Sequence, residues 1–386
     1  MAAAVTAGSA TGRPLTVLQL LPDLRGGGVE RGTLEVADEL VRRGHRSLVI
    51  SNGGELVQPL EAGGSEHLCW PIGVKSLRTL ALVPGLRRLL RQRQVDIVHA
   101  RSRLPAWILW LAWRGMDPAR RPRLVTTVHG LYSVSRYSAV MTRGERVIAV
   151  SETVRDYILR NYPETDPGRI ELIHRGVDRD AFPRGYTPAE SWRTTWYSRY
   201  PSLREGPVLT LAGRLTRLKG HHAFIDLVAA LRAGGRPVTG LIVGGEDPRR
   251  RGYAAELRQR VAELGLERAL LFTGQRQDIR EIYAVSDLVF SLSGKPESFG
   301  RTVVEALSMG VPVIGWDHGG VGEVLARLLP AGAVPLNDGD ALLRRTVDFL
   351  ERPPVVAGFD DFRLQTMLDK TLMLYQALAA DRNAAR

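Results

Sequence analysis

Short apolar runs alternate with helix-length segments over most of the chain. The predicted strands are 15–21, 47–51, 96–100, 124–128, 146–151, 170–173, 208–212, 239–243, 269–273, 287–291 and 311–315. Strands that alternate with helices are typical of βαβ units, in which helices cover a parallel sheet. The sequence therefore predicts an α/β architecture with doubly wound parallel sheets.

Two domains of this kind are expected, because 386 residues exceed what one hydrophobic core usually supports. Regular apolar periodicity is lost between 179 and 206, where prolines and aromatic residues interrupt it, and a strand pattern restarts at 208. The predicted segments are a flexible tail at 1–12, an N-terminal Rossmann-like domain at 13–185, an interdomain connection at 186–206, a C-terminal Rossmann-like domain at 207–355 and a closing helix within 356–386. This helix should begin near 359 and pack back toward the N-terminal domain.

The net charge of +12 is concentrated in one part of the first half. Between 75 and 123 the acidic residues are Asp96 and Asp117 alone. The basic residues of that segment are Lys75, Arg78, Arg87, Arg88, Arg91, Arg93, Arg101, Arg103, Arg114, Arg120, Arg121 and Arg123. Such a concentration favours an anionic partner, either nucleic acid or a membrane surface, although a solvated basic face explains it as well.

Tryptophans interrupt the basic segment at helical spacing. Trp107, Trp110 and Trp113 recur every three residues and share one face of a predicted helix. That face either packs in a core or rests on anionic lipid with arginines at the headgroups. The segment is too short to span a bilayer. The one cysteine, Cys69, has an apolar neighbour and is expected to fill a core position.

Two glutamates stand eight positions apart within 294–315. A predicted strand leads into a Gly/Pro loop that carries Glu297, a predicted helix carries Glu305, and Gly310 ends that helix before the next strand. Ligands of open α/β sheets bind beyond the carboxyl ends of the strands, where Glu297 falls. This segment is therefore a candidate binding site.

Two cations bracket the loop after the strand 208–212. Arg214 and Lys219 could clamp a diphosphate, the arginine through paired hydrogen bonds and the lysine as a point charge. The loop lacks the P-loop pattern, so alone it is weak evidence. His221 and His222, which follow it, are expected to be solvated helix residues.

Glycines and a histidine follow two strands of the first half. Gly27 and Gly28 precede a predicted helix and would let backbone N–H groups approach an anion or a sugar. The glycine spacing misses G-x-G-x-x-G by one residue, which weakens a nicotinamide dinucleotide site. His129 directly follows the strand 124–128 and is either a polar rim residue or a site residue.

The motifs together carry a family resemblance. Glu297-Ser298-Phe299-Gly300 with Glu305 forms an E-x7-E pattern, and it is accompanied by Gly213-Arg214 with Lys219, by Gly319-Gly320-x-x-Glu323 and by Gly27-Gly28-x-Glu30. From about residue 15 to residue 350 the chain resembles the GT4 family of GT-B glycosyltransferases. The resemblance implies two Rossmann-like doubly wound domains that face a central cleft. The N-terminal domain at 13–185 would bind the acceptor, and the C-terminal domain at 207–355 would bind the nucleotide sugar.

The resemblance also implies roles for individual residues. Glu305 would hold the ribose hydroxyls of a sugar nucleotide, and Glu297 would contact the transferred sugar. Arg214 and Lys219 would bind the diphosphate, and His129 would contact the donor sugar from the N-terminal domain. The other implied donor-binding residues are Gly27, Gly28, Gly245, Gln275, Ile279, Ser298, Phe299, Gly300 and Thr302.

Simpler structural roles stay open for the acidic residues. Arg301 and Glu305 are four apart on one helix, a spacing that also suits a surface ion pair. Glu297 is placed to cap that helix, and Glu323 could be an ordinary helix-surface residue.

For the reaction, the resemblance implies transfer with retention of anomeric configuration. The sequence shows no carboxylate pair of the kind that double-displacement glycosidases hold about 5 Å apart. The departing diphosphate is therefore expected to take the acceptor proton on the front face. No D-x-D motif follows a strand, so we expect metal independence and no cofactor beyond the nucleotide-sugar co-substrate.

The implied acceptor is lipid-linked or a saccharide, because the chain resembles the bacterial subgroup that builds lipopolysaccharide core or other cell-envelope glycans. We expect a cytoplasmic protein, peripheral on the cytoplasmic face of the inner membrane, and no nucleic-acid partner. The arginines expected to face the anionic membrane are Arg87, Arg88, Arg91, Arg93, Arg101 and Arg103. The alternative is a non-catalytic nucleotide- or nucleic-acid-binding protein that keeps the fold.

Overall fold

The computed structural model describes residues 13–246 and 251–384, so the predicted tail at 1–12 lies outside the described residues. The chain forms two compact units. The first contains the described residues up to Ala149, Ile158–Glu171 and those from Leu368 onward. The second contains Val150–Tyr157 and Leu172–Met367. The boundary predicted at 185 therefore falls inside the second unit.

The first sheet is parallel and buried. Its strands are β1 (Thr16–Leu20), β2 (Arg46–Ser51), β3 (Glu66–Cys69), β4 (Ile97–Ala100), β5 (Arg123–Val128), β6 (Arg146–Ala149) and β7 (Ile170–Leu172). They lie in the order β3-β2-β1-β4-β5-β6-β7. β1 is fully buried between parallel neighbours, with Leu18 opposite Leu48 on one side and Val98 on the other. The strand order reverses between β1 and β4.

The second sheet repeats this arrangement. Its strands are β8 (Val208–Ala212), β9 (Thr239–Val243), β10 (Leu270–Gly274), β11 (Leu288–Ser291), β12 (Val313–Trp316) and β13 (Ala333–Val334). Their order is β10-β9-β8-β11-β12-β13, and the order reverses between β8 and β11, which pair in parallel. The point of reversal is where open α/β sheets bind ligands.

Helices connect the strands, and each amphipathic helix buries one face. In chain order they are α1 (Gly28–Arg42), α2 (Val57–Ala62), α3 (Leu82–Gln92), α4 (Arg103–Arg114), α5 (Glu152–Asn161), α6 (Glu190–Arg199), α7 (His221–Ala233), α8 (Arg251–Glu263), α9 (Ile279–Ala284), α10 (Arg301–Met309), α11 (Gly319–Leu328), α12 (Gly339–Glu351) and α13 (Leu364–Ala384). In α1, for example, Val36, Ala37 and Leu40 are buried at helical spacing.

Each predicted strand overlaps a strand of the structure, whereas several other elements differ. β3 and β13 were not predicted. The predicted interdomain connection contains α6, in which buried Trp196 packs with Leu203 and Leu241. α13 begins at Leu364 and not near 359.

The burial predicted for Cys69 and the exposure predicted for His221 were wrong. Cys69 is exposed and not in a core, because β3 is the outermost strand of its sheet. His221 is fully buried at the start of α7, with its Nδ1 3.4 Å from the Tyr253 hydroxyl oxygen. Burial lowers the pKa of His221 to about 4, so the ring is neutral at pH 7.

Candidate functional site

Lys219 and Glu297 meet at the carboxyl edge of the second sheet. Lys219 ends the loop after β8, Glu297 lies on the loop after β11, and these two strands flank the reversal point. Lys219 Nζ donates to Glu297 Oε1 at 2.7 Å. Ser293 Oγ donates to the same carboxylate oxygen. Both members of the pair are partly exposed, so a ligand at this edge can reach them.

Gly220 makes this approach of the two loops possible. Its φ of +75° is left-handed, and a Cβ there would lie 1.8 Å from the Leu292 carbonyl oxygen. Only glycine both adopts this φ readily and has no Cβ to collide with the carbonyl oxygen. A hydrogen bond from Gly294 N to Leu218 O, 3.0 Å long, joins the loops further. The backbone therefore fixes the distance between the cation and the carboxylate.

Glu305 is held on the second turn of α10. The residue is 4% exposed, and Arg301 Nε donates to its Oε1 at 3.0 Å. The carboxylate is thus buried, and the pair with Arg301 is not the surface ion pair that the spacing also suited. Because a buried charge needs compensation, the bond from Arg301 supports the carboxylate of Glu305 at this position. Its contact with a ribose stays a prediction.

Three helices begin at this edge without a side-chain cap. They are α7 after Gly220, α10 after Gly300 and α11 after His318. Uncapped first-turn N–H groups and the helix dipole favour an anion, as a diphosphate would supply. Arg214 is exposed in the loop after β8 and forms no ion pair within 13–246 or 251–384. Its predicted role in diphosphate binding is therefore sterically open and stays a prediction.

The loop after Glu297 carries the remaining predicted contacts of this edge. Phe299 is 7% exposed and packs edge-on against Phe362, with ring centroids 5.4 Å apart. Gly300 is the N-cap of α10, and Thr302 lies in the first turn of that helix. Phe299 thus anchors the loop, which leaves the backbone of Ser298 and Gly300 at the edge.

The segments after β9 and β10 form the neighbouring part of the edge. A Cβ on Gly245 would lie 3.1 Å from Gln275 Oε1, so the two predicted residues are adjacent. Ile279 begins α9. Asp278 before it accepts from Arg276, with Nε to Oδ1 at 2.8 Å, and from Trp192 Nε1 at 2.7 Å. These bonds, which the sequence did not indicate, stiffen the segment that carries the predicted donor-binding residues Gln275 and Ile279.

Three predicted residues belong to the first unit. Gly27 is the N-cap of α1 with a φ of +151°, and Gly28 is the first residue of that helix. A Cβ on Gly28 would meet no described atom within 4 Å, so space does not require glycine there. His129 follows β5, and its backbone N donates to the Tyr132 hydroxyl at 3.3 Å. All three lie at the carboxyl edge of the first sheet.

The six arginines predicted to face a membrane differ in exposure. Arg101 is a wrong prediction, since it is 4% exposed and its Nε donates to Gln19 Oε1 at 2.7 Å. Burial lowers the pKa of Arg101. Arg87 donates to the carbonyls of Leu111 and Ala112 at the end of α4. The guanidinium groups of Arg101 and Arg87 are therefore committed to contacts within the fold.

Arg93 makes a bidentate pair with Glu66, at 2.5 and 3.0 Å. Arg103 donates to Ser138 Oγ at 3.2 Å. Arg88 and Arg91 are exposed on α3. Of the six, these are the two that are exposed and form no described ion pair or side-chain hydrogen bond. A basic surface would therefore depend mainly on Arg88 and Arg91.

The tryptophan face of α4 is divided between core and surface. Trp113 is 9% exposed and donates from Nε1 to Pro122 O at 2.7 Å. Trp107 and Trp110 are half-buried and pack edge to face, with centroids 5.6 Å apart. The guanidinium of Arg143 lies over both rings, 5.3 and 4.4 Å from their centroids. The core interpretation therefore applies to Trp113, and a lipid contact of the half-buried Trp107 and Trp110 stays a prediction.

Two further residues of the second unit escaped prediction. Ser293 binds Glu297, and its only sequence signal is its place just after β11. His174 donates to Glu323, which is 12% exposed on its side chain and so is not an ordinary surface residue. Sequence spacing gave no sign of that pair, because its members are far apart along the chain.

Two parallel sheets that each reverse their strand order are the architecture of the GT-B class of glycosyltransferases. The model of Glycosyltransferase Family 4 matches residues 26–181, and that of Glycosyl transferases group 1 matches residues 194–357. The chain is 30% identical over 337 residues to the GDP-mannose-dependent alpha-mannosyltransferase of Mycobacterium tuberculosis (strain CDC 1551 / Oshkosh), an alignment that covers 79% of this chain and 80% of the relative. The chain belongs to the GT4 family of glycosyltransferases.

Solved structures agree with this assignment. A glycosyltransferase from Rickettsia africae ESF-5 is 30% identical with a TM-score of 0.83, and the match covers 95% of this chain and 99% of that one. WaaG, a glycosyltransferase involved in lipopolysaccharide biosynthesis, is 18% identical with a TM-score of 0.66, covering 96% and 98%. The likeness to WaaG concerns the fold alone.

Proposed function

We propose that the protein moves a sugar, with retention, from a nucleotide-diphosphate sugar to a lipid-linked or saccharide acceptor in lipopolysaccharide core or other cell-envelope glycan synthesis. The Lys219–Glu297 pair at the reversal point of the second sheet carries the proposal. It places a cation for the diphosphate beside a carboxylate for sugar hydroxyls. The uncapped helices α7, α10 and α11 add donors for the same anion.

In the proposed reaction, the acceptor hydroxyl oxygen bonds to the anomeric carbon as the bond from that carbon to the diphosphate breaks. The hydroxyl proton passes to the departing phosphate oxygen on the same face. Lys219 and Arg214 stabilise the charge that grows on the diphosphate. Glu297 orients the sugar, and Glu305 holds the ribose.

A donor panel tests this function. UDP-, GDP- and ADP-sugars are ranked by thermal shift, because the bound ligand stabilises the folded state, and the best donor is assayed for nucleotide release with candidate acceptors. Wild type should release nucleotide, and Glu305→Ala and Lys219→Ala should not. Binding of plain nucleotides with no turnover of any donor would favour the non-catalytic alternative.

Metal independence is part of the proposal, since Arg214 and Lys219 supply the cationic charge. Turnover should survive incubation with a chelator. Activity that is lost to the chelator and restored by Mn²⁺ would contradict this mechanism. The anomeric configuration of the product, read by NMR, tests retention separately.

We also infer a peripheral association with an anionic, cytoplasmic membrane face. No helix within the described ranges is long and apolar enough to cross a membrane. Three apolar residues before α3 are exposed, namely Val74 (43%), Leu77 (86%) and Leu80 (48%). Arg88 and Arg91 are exposed on α3, which packs against the turn Leu77–Ala81. Apolar residues flanked by cations are typical of an interfacial surface.

Vesicle co-sedimentation tests this association. Wild type should bind vesicles that contain phosphatidylglycerol and not those of phosphatidylcholine alone. Arg88→Gln/Arg91→Gln should lose most of this binding. The control Arg193→Gln/Arg268→Gln removes the same charge from exposed positions of the second unit and should bind like wild type. Equal loss in both variants would leave only a net-charge effect and contradict a specific surface.

A further inference from the structure

Glu323 of α11 binds the first turn of α5. Its carboxylate accepts from the backbone N of Glu152 and of Thr153, both at 3.1 Å, and from Thr153 Oγ1 at 3.3 Å. His174 Nε2 is the fourth partner, at 2.8 Å. Burial alone would raise the pKa of Glu323, but these hydrogen bonds bring that pKa below its ordinary value. The carboxylate is therefore ionised and caps α5 from another helix.

The start of α11 is joined to the Glu297 loop. Gly320 N donates to Glu297 O at 2.7 Å, and a Cβ on Gly320 would lie 2.6 Å from Phe299 Cα. Gly319 has a left-handed φ of +59°, and its own Cβ would lie 2.7 Å from Pro296 Cβ. One helical turn separates Gly320 from Glu323. A shift of Glu323 would therefore move the support of the Glu297 loop.

A second connection runs through aromatic rings. The His174 ring packs edge-on against Phe362 with centroids 5.3 Å apart. Phe362 in turn packs against Phe299 at 5.4 Å. His174 thus contacts Glu323 directly and reaches the Glu297 loop by a separate path. The loop is therefore held by two connections, and both lead to the partly buried carboxylate of Glu323.

The partners of Glu323 lie where the chain passes between its two units. Glu152 and Thr153 belong to Val150–Tyr157, and His174 closely follows the boundary at Leu172. All these contacts are inside the second unit. Glu323 therefore links the segments at which the chain enters the second unit to the loop that carries Glu297.

We propose that Glu323 is a positioning residue for glycosyl transfer, which acts through α11 to keep Glu297 beside Lys219. This rests on the proposed role of Glu297 at the transferred sugar. Glu323 acts mainly on the loop that orients the sugar, so its loss should lower kcat much more than it weakens nucleotide binding.

Glu323→Ala tests the proposal through kcat, KM and the Kd of the nucleoside diphosphate. We expect kcat to fall about 30-fold, with KM and Kd changed less than about 3-fold. Glu323→Gln keeps an oxygen that accepts from the backbone of α5 and should recover most of kcat. Adding His174→Ala to Glu323→Ala should cost little more, because both act through one network.

Asp338→Ala is the matched structural control. Asp338 Oδ1 caps α12 by accepting from Ala341 N at 2.8 Å, so its loss also weakens a helix of the second unit. Even where Asp338→Ala lowers Tm as much as Glu323→Ala does, it should keep the wild-type kcat. An equal loss of kcat in Asp338→Ala and Glu323→Ala, or a wild-type kcat in Glu323→Ala, overturns the proposal.

Hydrogen exchange separates failure of this proposal from failure of the proposed function. The Gly320 amide reports the bond to Glu297 O directly, without any substrate. It should exchange faster in Glu323→Ala than in Asp338→Ala. If wild type turns over no donor, the proposed function fails. The exchange rate of the Gly320 amide in Glu323→Ala still decides whether Glu323 positions the loop. Unchanged exchange in Glu323→Ala would contradict the positioning role even in an active enzyme.

Discussion

The two members of the Lys219–Glu297 ion pair are expected to bind different parts of the donor. Lys219 would bind the diphosphate, and Glu297 would bind the sugar hydroxyls. In the described structure, Lys219 neutralises Glu297 at 2.7 Å. A diphosphate that binds Lys219 competes with that carboxylate, and sugar hydroxyls can then satisfy Glu297. Removal of the lysine would thus leave an uncompensated negative charge beside an anionic ligand.

Lys219→Ala should therefore weaken nucleoside diphosphate binding by more than the loss of one contact. We expect Kd to rise about 30-fold in Lys219→Ala and only about 5-fold in Lys219→Ala/Glu297→Gln, because the second change removes the repulsion. Calorimetry with the best-ranked nucleotide measures both. Lys370→Ala, an exposed lysine of α13, is the control with wild-type affinity. Strictly additive effects would show that the two groups do not interact.

His221 should give the protein a specific sensitivity to acid. Its pKa is about 4 in the fold, against the ordinary histidine value of 6.5. The unfolded chain therefore binds the proton first, and the stability from the neutral buried ring is complete above pH 6.5 and is lost as the pH falls toward 4. Between pH 7 and 5 this corresponds to about 2 kcal/mol of unfolding free energy.

Urea denaturation at pH 7 and pH 5 measures that loss. In His221→Gln the fall in unfolding free energy between the two values should be smaller than in wild type by about 2 kcal/mol. The exposed variant Arg193→Gln should keep the wild-type difference. The same fall in His221→Gln as in wild type would show that other groups cause the acid sensitivity.

At the scale of elements, buried parallel strands were predictable because they are continuous apolar runs. β3 was missed because an outer strand with Glu66 and His67 carries no such run, and α6 because its apolar residues are aromatic and lie between prolines. The segments carrying Glu297, Glu305 and Lys219 were predictable from strand ends. Tertiary partners such as Ser293 and His174 were not, since side-chain contacts across the fold leave no periodic signal.

Arg87, which the sequence analysis predicted to face a membrane, donates hydrogen bonds to the end of α4. Arg87 Nε and Nη2 donate to Ala112 O and Leu111 O, at 3.0 and 2.9 Å. These are last-turn carbonyls that lack helical partners. Arg87→Ala should lower the unfolding free energy by about 1–2 kcal/mol. Its neighbour Arg88 is exposed, and Arg88→Ala should change it by less than about 0.5 kcal/mol.

Chemical denaturation of the two variants compares them under the same conditions. Equal losses would mean that the guanidinium of Arg87 does not cap α4. Vesicle binding should give the reverse order, because Arg88 belongs to the proposed membrane surface and Arg87 donates to the carbonyls at the end of α4. The pair of measurements therefore separates structural from surface arginines within one helix.

For the whole molecule, the charge of +12 attracts any polyanion, so binding at low salt does not identify a partner. Diffuse attraction is screened within about 4–5 Å in 0.5 M NaCl. Insertion of exposed leucines into a bilayer is not screened, and each buried leucine contributes about 1.5–3 kcal/mol. Salt therefore distinguishes the membrane from nucleic acid as the partner.

We expect about 0.5 M NaCl to abolish binding to nucleic acid and to leave part of the binding to phosphatidylglycerol vesicles. That salt-resistant part should disappear in Leu77→Ser/Leu80→Ser, while the low-salt part remains. Leu336→Ser, which changes an exposed leucine of the second unit, should behave like wild type. Vesicle binding that is fully reversed by salt in wild type would show that charge alone holds the protein there, and the exposed residues before α3 would then have no part in membrane attachment.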